Sequence, residues 1–566
     1  MKTNWQDPQT SKVISPHISG MQESLGKIED GFNLTTMTDP NIQLSEVYIS
    51  PTNRYRIFQA PLGKRNWVEN PAPIIKKNGI AITTGFTIEY GGGAIVLSTN
   101  ALSSDKFTAE ATYTTNEKIK DLVNKVSALY SATLTDSYIY GVQWDKTSNP
   151  VLTRTDRSIG AIVNVGINSE IVDNSMDISG IFKDFREVTD KYGNVFIRIP
   201  KMYIKKSDTT ELFSRKISRK KFDGSYLPWC FWDFVNNKEL DYIDVGKHKA
   251  SLSDDGTKLE SKPGKYPLIN KTIVNFRTYA KNNGNEYQQL DIHTWDLLQT
   301  LFVIEQATLH SQSIVAGYTS GQYSASHIAI ITEIDTNRII VSNSVANNYE
   351  IGQAISVGTS LGGNQIFYGR NITDIQVYDV ENKAIVFDGP VVNITAGNIL
   401  YNTGYKNGFS NNIVSSVGSI NSKTSGKHPF VWHEIESLFG DIWQFVDGVN
   451  INDNQAWVCE DARNYASNIF TAPYKQVGYM NSNIDGYVKK LGFDPNIPYI
   501  QFPVEVGGSA STYYSDNYYQ SLGQRIARVG GPWCDGSDAG LFYWNLNISS
   551  SNTNVYVGGR LLKKAL

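Results

Sequence analysis

Residues 530–562 read GGPWCDGSDAGLFYWNLNISSSNTNVYVGGRLL, and this stretch decides how we interpret the fold. In its middle, side chains alternate at the two-residue period of a β-strand, so one alternate set should face the core. The residues that we assign to the core are Phe542, Trp544 and Leu546. The residues that we assign to the solvent face are Tyr543 and Asn545. A shift of one residue in register would exchange the two faces.

The preceding segment of similar character reads EIESLFGDIWQFVDGVNI, at residues 434–451. Large rings in such a segment bury much apolar area, so we expect them to pack inside the domain rather than contact a ligand. The rings expected in the core are Trp432, Trp443 and Phe445. Further upstream, apolar residues at helical spacing predict a helix that Thr294 caps and that ends near His310.

Residues 323–401 interrupt this pattern. They contain two pieces, residues 327–341 and 371–387, in which two β-prone runs flank a short polar turn. Each piece predicts a β-hairpin. Together they predict a small β insertion in a loop of the larger domain, where insertions are tolerated.

The first 137 residues are organised differently. Short β runs separated by Gly-rich or Ser-Asn turns lie within residues 36–115 and predict a small antiparallel β domain. A helix is predicted on either side of it, each with one apolar seam at spacings of three and four. The seam residues are Ile18, Met21, Leu25 and Ile28 in the first helix, and Ile119, Leu122, Val126 and Leu129 in the second. These seams predict either oligomerisation or packing within the chain.

Composition limits the classes of function. The 566 residues include 52 Lys and Arg against 55 Asp and Glu, and this net charge of −3 argues against a nucleic-acid-binding surface. Charged residues make up only 19%, whereas the chain contains 46 Gly and 32 Tyr. Antibody paratopes share this kind of composition because Tyr gives contact area at low entropic cost, so a binding role is favoured.

Cysteine usage and targeting signals exclude further classes. Cys230, Cys459 and Cys534 are too few and too far apart for a disulfide scaffold or a zinc ribbon, and we expect buried free thiols. The N-terminus lacks the apolar segment of a signal peptide, and no run approaches the roughly 20 apolar residues of a membrane span. We therefore expect synthesis in a cytoplasm without a signal peptide, and no membrane insertion.

The chain carries none of the catalytic motifs that a sequence shows directly. His433-Glu434 lacks the second histidine of HExxH, and no nucleophile elbow or phosphate-binding loop is present. Residues 447–453 are rich in oxygen ligands but miss EF-hand spacing, so turns explain them better than a structural calcium ion. Carboxylate pairs for glycoside hydrolysis stay open, because their separation is not a property of sequence. We expect no catalytic residue, no metal ligand and no cofactor.

These patterns predict a multidomain α+β protein with an N-terminal helix, a small antiparallel β domain, a short helical segment and a larger C-terminal domain with a β insertion. A coiled coil is one explanation of the helical segment. The predicted domains are a helical attachment segment at 1–35, the β domain at 36–115, the helical linker at 116–137, the first half of the C-terminal domain at 138–322, the inserted β domain at 323–401 and the second half at 402–566.

Several segments resemble a known family. Besides the two stretches quoted above, YGVQWD at 140–145, GNVFIRIPKMYIK at 193–205 and SKPGKYP at 261–267 are similar, in this order, to C-type-lectin-like domains of phage tail proteins. That fold is related to the formylglycine-generating enzymes. The resemblance covers roughly residues 138–566 without the insertion. The N-terminal third resembles the particle-proximal ends of baseplate and tail-fibre proteins of phages that infect Gram-positive bacteria.

The resemblance implies a C-type-lectin-like fold and a structural protein of the virion, at the phage tail tip or baseplate, that binds the host bacterial surface by adhesion. Its partners would be other tail or baseplate proteins and a cell-surface glycan or protein, and relatives imply a homotrimer. The catalytic formylglycine-generating enzymes use a pair of cysteines. Here Cys459 and Cys534 stand in different motifs, so we expect no enzymatic activity.

The ligand contacts are expected in the aromatic, Gly-rich C-terminal segment, where rings would stack on sugars and Asp would bond to hydroxyl groups. The predicted contacts are Tyr513, Tyr514, Tyr518, Tyr519, Trp533, Asp535, Asp538 and Tyr543. Packing inside the domain is the alternative for each of them. Two other functions stay open, namely a baseplate scaffold without receptor binding and a depolymerase that cuts surface glycans.

Overall fold

The computed structural model describes residues 36–47, 55–61, 64, 67–90, 93–114, 138–165, 171–176, 180–413, 417–420 and 422–565. The chain divides into two compact units, Met1–Asp136 (the first unit) and Ser137–Leu566 (the second unit). Both predicted helices with apolar seams lie outside the described residues. This applies to all eight predicted oligomerisation residues, which are Ile18, Met21, Leu25, Ile28, Ile119, Leu122, Val126 and Leu129.

The predicted α+β fold class is wrong, because the protein is mostly β. Strands make up 44% and helices 10%, with four α-helices and no coiled coil among the described residues. The strand pairs are mainly antiparallel. The physical reason lies in the composition, since β-branched, aromatic and uncharged polar residues between frequent Gly and Asn turns favour short strands over helices.

The first unit contains one seven-stranded sheet. Its strands are β1 (Thr36–Glu46), β2 (Ile57–Gln59), β3 (Ile74–Lys77), β4 (Ile80–Ile82), β5 (Phe86–Glu89), β6 (Ala94–Leu97) and β7 (Phe107–Thr114). They are ordered β4-β3-β7-β1-β2-β6-β5. Their buried side chains, among them Trp67, Phe107 and Tyr113, form a separate apolar core.

The first half of the second unit consists of short strands and one long helix. The strands are β8 (Ile139–Trp144), β9 (Thr153–Asp156), β10 (Val163–Val165), β11 (Ile171–Asn174), β12 (Arg186–Thr189), β13 (Val195–Pro200), β14 (Tyr203–Asp208), β15 (Phe213–Ser218), β16 (Trp232–Asp233), β17 (Lys238–Glu239), β18 (Tyr242–Gly246), β19 (Ser251–Leu252), β20 (Leu259–Glu260) and β21 (Tyr287–Gln289). The helices are α1 (Ile273–Lys281), α2 (Ile292–Gln306) and α3 (Ser311–Ile314).

Helix α2 corresponds to the helix predicted from Thr294, and every residue in it is buried. It begins three residues earlier because the Asp291 side chain, rather than Thr294, is the N-cap and accepts a hydrogen bond from the Thr294 backbone N–H at 2.8 Å. It ends where Ala307 adopts a left-handed conformation with φ of 50°. A helix that is buried all round is surrounded by sheet on several sides.

A separate apolar core lies within residues 323–401. The elements of this region are β22 (Glu333–Thr336), β23 (Arg338–Ser342), α4 (Asn343–Ala346), β24 (Ala354–Ser360), β25 (Gly363–Val377), β26 (Asn382–Phe387), β27 (Val392–Ile394) and β28 (Ile399–Asn402). The second predicted hairpin is present as β25 and β26. The first is wrong, because β22 pairs with β27 and β23 pairs with β26.

The last segment completes the second unit. Its strands are β29 (Val417–Ser419), β30 (Phe430–Trp432), β31 (Ile435–Glu436), β32 (Trp443–Asn452), β33 (Gln455–Val458), β34 (Lys475–Gln476), β35 (Gly486–Asp494), β36 (Ile497–Val506), β37 (Asn517–Gln520), β38 (Gln524–Gly530), β39 (Gly540–Ile548), β40 (Val557–Gly558) and β41 (Leu561–Lys564). Eight of them form the path β34-β33-β32-β38-β39-β37-β35-β36, and β40 joins β32. Strand β41 pairs with β18 and β21, so the chain end joins the first half of the unit.

Candidate functional site

The C-terminal aromatic motif lies mostly inside the protein. Strand β39 pairs with β38 on one side and β37 on the other, and its residues from Gly540 to Leu546 are all buried. The assignment of Phe542, Trp544 and Leu546 to the core is confirmed. The assignment of Tyr543 and Asn545 to the solvent face is wrong, because both faces of this central strand are covered.

Four of the predicted ligand contacts are therefore wrong. The buried side chains are Tyr514, Tyr518, Trp533 and Tyr543. Other aromatic rings pack against them. The ring centroid of Tyr514 lies 5.0 Å from that of Phe542, in an edge-on arrangement, and the ring centroid of Tyr543 lies 4.5 Å from that of Trp443. Their burial contributes to stability and leaves no face for a ligand. The expected burial of Trp432, Trp443 and Phe445 is confirmed.

The other four predicted contacts retain some exposure. Tyr519 is 44% exposed, whereas Tyr513, Asp535 and Asp538 are half-buried. The structure brings Asp535 close to Tyr543 and Arg528. Burial raises the pKa of Asp535 to about 6, and its hydrogen bond with Tyr543 and the charge of Arg528 oppose this rise. These four residues stay predictions.

A second aromatic cluster, which the sequence interpretation missed, borders an open cavity of about 350 Å³ in the second unit. We call this cavity the hairpin pocket, because the hairpin of β16 and β17 forms one wall. Its volume is within the range of about 300–1,000 Å³ that is usual for small-molecule sites. Its lining residues are Trp232, Asp233, Phe234, Val235, Lys281, Asn285, Tyr287, Gln288, Asp461, Ala462, Arg463 and Lys564.

The hairpin wall is shaped by the side chain of Asp233. Its Oδ1 accepts hydrogen bonds from the backbone N–H groups of Val235 and Asn236, at 2.9 and 3.2 Å, and so closes an Asx turn. Asn237 then takes a left-handed φ of 49°, which asparagine tolerates. The turn therefore holds Phe234 and Val235 at the pocket.

Three rings pack along this hairpin. The centroid of Trp229 lies 6.0 Å from that of Trp232 and 5.3 Å from that of Phe234. Trp232 and Phe234 are only half-buried, and Val235 is 62% exposed. Among the described residues, strands β16 and β17 pair only with each other, so both edges of this short hairpin lack a neighbouring strand, and its part-exposed side chains line the cavity.

The opposite wall comes from a 3-10 turn at Ala462–Asn464, which Asp461 caps. The Arg463 guanidinium donates to both carboxylate oxygens of Asp461, at 2.6 to 3.1 Å, and to the carbonyl oxygen of Phe234 at 3.3 Å. Burial acts to raise the pKa of Asp461, but the hydrogen bonds from Arg463 outweigh it and lower this pKa overall. Arg463 therefore links both walls and holds Asp461 ionised.

The pKa of Asp233 is also lowered. Burial acts to raise it, and the hydrogen bonds from the side chain and backbone of Asn236 prevail. The Asn236 side chain donates to Asp233 Oδ2 at 2.7 Å. A general acid for glycoside hydrolysis needs a raised pKa, so neither lining carboxylate suits that role.

Two lysines complete the pocket. Lys564, on β41, is only 8% exposed, and its amino nitrogen lies 6.0 Å from the ring centroid of Phe234. Lys281 is exposed at the end of α1. Among the described residues, neither amino group lies within salt-bridge distance of a carboxylate. The pocket thus combines half-exposed rings, two amides, two engaged carboxylates and two ammonium groups without a described salt-bridge partner.

A second groove, of about 550 Å³, offers less to a ligand. Lys146, in its lining, is paired with Asp208, and the larger side chains of the rest of its lining are mainly apolar. Its lining residues are Lys146, Asp208, Thr209, Thr210, Tyr479, Met480, Lys490, Leu491, Gly492, Phe493 and Val504.

The candidate metal ligands and thiols of the described residues are arranged as follows. No group of three or more His, Cys, Asp or Glu residues there is arranged to hold a metal ion. In the segment considered for calcium, both Asp447 oxygens accept from Arg277 at 2.8 Å. Cys230, Cys459 and Cys534 are free thiols as expected, with Cys534 half-buried. None of the described helices is both long and apolar enough to span a membrane.

One local signal could have drawn attention to the hairpin. Residues 229–237 read WCFWDFVNN, which is a dense aromatic run before an Asn-Asn turn. Among the other pocket residues, Arg463 and Lys564 lie more than two hundred residues further along the chain, and no local pattern joins them to this run. Comparison of the chain with protein-family models and with curated proteins gave no match to either.

Proposed function

We propose that the chain is a structural protein of a phage tail or a phage-tail-like particle, at the tail tip or baseplate, and that its second unit binds the host bacterial surface. The observation that carries the proposal is the hairpin pocket, with Trp232 and Phe234 half-exposed at an open cavity. The resemblance of the sequence to phage tail proteins supplies the biological setting.

The pocket is suited to holding a ligand. Aromatic faces stack on sugar rings or pack on protein side chains, and amide and charged groups fix the orientation. Arg463 bridges the two walls, so the geometry exists before the ligand arrives, which reduces the entropic cost of binding. Several copies around a tail, for example in a homotrimer, would add avidity by effective concentration.

Binding without turnover is favoured over a depolymerase at this pocket. Asp233 and Asp461 both have lowered pKa values and accept several hydrogen bonds each. A carboxyl group with a raised pKa, Asp535, lies outside the pocket lining. A scaffold that only joins other tail proteins would not need a ligand-sized cavity with exposed rings.

The test is incubation of the purified full-length protein with a panel of Gram-positive cells. We expect saturable attachment to at least one strain without release of soluble oligosaccharide. Release of oligosaccharide would establish the depolymerase and contradict the proposal. Absence of attachment, together with tight binding to other tail proteins, would establish the scaffold instead.

A further inference from the structure

The net charge of the residues that line the hairpin pocket has the opposite sign to the net charge of the whole chain. Its lining carries three cationic side chains, Lys281, Arg463 and Lys564, against the carboxylates of Asp233 and Asp461, which leaves an excess of one positive charge. The chain as a whole carries −3. A local excess of the opposite sign attracts anionic ligands to a cavity with low-dielectric walls.

The lining charges are not equally available. Arg463 and Asp461 neutralise each other through their double hydrogen bond, and Asp233 is engaged by its own turn. The Arg463 guanidinium pairs directly with the Asp461 carboxylate, and Lys564 acts on that carboxylate only through a charge interaction at longer range. The two lysine amino groups are therefore the charges that a ligand can still pair with.

The burial of Lys564 makes this point stronger. Its side chain is almost fully enclosed beside the ring of Phe234, without a salt bridge to any described residue. The Lys564 amino nitrogen is not among the fully buried polar atoms without a hydrogen-bond partner, so it stays accessible from the cavity. A partly enclosed ammonium group attracts an anionic group more strongly than one in bulk water. Lys281, at the exposed rim, would add a second contact to the same anionic group.

We infer that the hairpin pocket binds an acidic sugar unit, whose ring packs against Trp232 and Phe234 and whose anionic substituent lies at Lys564 and Lys281. This inference rests on the proposed function and names the ligand class of the same site. The anionic substituent is a phosphate or a carboxylate, both of which present oxygen acceptors to an ammonium group.

The test is calorimetric titration of the full-length protein with three sugars that share one ring, namely glucose, glucose 6-phosphate and glucuronic acid. We expect at least one acidic sugar to bind at least tenfold more tightly than glucose at low salt, with the difference shrinking as salt is added. The tighter of the two acidic sugars identifies the substituent. Equal affinity for all three, or no binding of any, would overturn the inference.

Charge variants test the assigned contacts. Lys564→Gln should abolish most of the difference between acidic and neutral sugars. Lys183→Gln is the matched control, because Lys183 is exposed and lies outside the pocket lining. Lys281→Gln, at an exposed position, tests the same point if Lys564→Gln fails to fold. A preference for acidic sugars that survives both pocket variants would overturn the inference.

Cell attachment separates this inference from the proposed function. If the wild type attaches to cells and Trp232→Ala reduces attachment, while acidic sugars show no preference, then the proposed function stands and the acidic ligand is wrong. If the wild type attaches to no cells, the proposed function itself fails.

Discussion

The aromatic motif of β39 and the aromatic hairpin of β16 and β17 use similar residues in opposite ways. Strand β39 is central in its sheet, between β38 and β37, and its rings are buried on both faces. Within the described part of the chain, the hairpin strands pair only with each other, and Trp232 and Phe234 keep part of their surface at a cavity. The position of a strand in its sheet, rather than its aromatic content, therefore determines which rings can contact a ligand.

The largest expected difference between the two regions is in stability. Trp544→Ala in β39 should lower the free energy of unfolding by about 3–5 kcal/mol, because it leaves a cavity beside Phe502, whose ring centroid is 4.6 Å away. Trp232→Ala in the hairpin should cost about 1 kcal/mol, the typical value for a substitution that leaves no enclosed cavity. Urea denaturation of both variants measures the difference, and equal costs would contradict it.

The carboxylates of the two regions should respond to pH in opposite directions. The folded-state pKa of Asp535 is raised from 3.8 to about 6, so the native state keeps a proton that the unfolded chain loses. Its contribution to stability therefore falls as pH rises from about 4 to about 6, by about 2 kcal/mol after allowance for solvent screening. Asp535→Asn should gain stability relative to the wild type across this range, as measured by urea denaturation at each pH.

Asp461 supplies the matched comparison. Its folded-state pKa is lowered below 3.8, so its stabilising contribution is present above about pH 4 and is lost as pH falls through the folded value. Asp461→Asn should therefore be less stable than the wild type near neutral pH and equal to it in strong acid. The same pH trend for both variants would show that the two regions do not differ in this way.

The smallest expected effect concerns the hairpin turn. Asn237→Ala should destabilise the hairpin by about 1 kcal/mol, because alanine tolerates the left-handed φ of 49° less well than asparagine. Asn237→Gly is the control, since glycine adopts this conformation without a steric penalty. Protection of the hairpin amides from hydrogen exchange would measure both, and an equal loss of protection in the two variants would contradict the role of the turn.

Local patterns predicted much of the fold from sequence. The short β runs predicted within residues 36–115 include the strands β6 and β7, the helix predicted from Thr294 is α2, and the rings of Trp432 and Trp443 are buried. In each case, the secondary structure that the residue types favour agrees with the burial that their spacing predicts. The α+β class was wrong because the same aromatic and Gly-rich segments fold as short paired strands.

The site was less predictable, for two physical reasons. In a strand with both faces buried, alternation of residue types no longer separates core from surface, so Tyr543 and Asn545 were placed wrongly. The pocket depends on long-range pairing, because Lys564 reaches it only through the register of β41 with β18, where it lies opposite Ile243. No single-sequence pattern contains that register.

Attachment of variants to cells tests the central claim most directly, by comparing removal of the hairpin rings with removal of an exposed ring outside the pocket. The double variant Trp232→Ala, Phe234→Ala and the control Tyr378→Ala, at a residue that is 41% exposed, would be incubated, as full-length proteins, with a strain that the wild type binds. We predict that the hairpin variant loses at least tenfold in attachment while the control stays within twofold. The reverse order, or full attachment by the hairpin variant, would contradict the account.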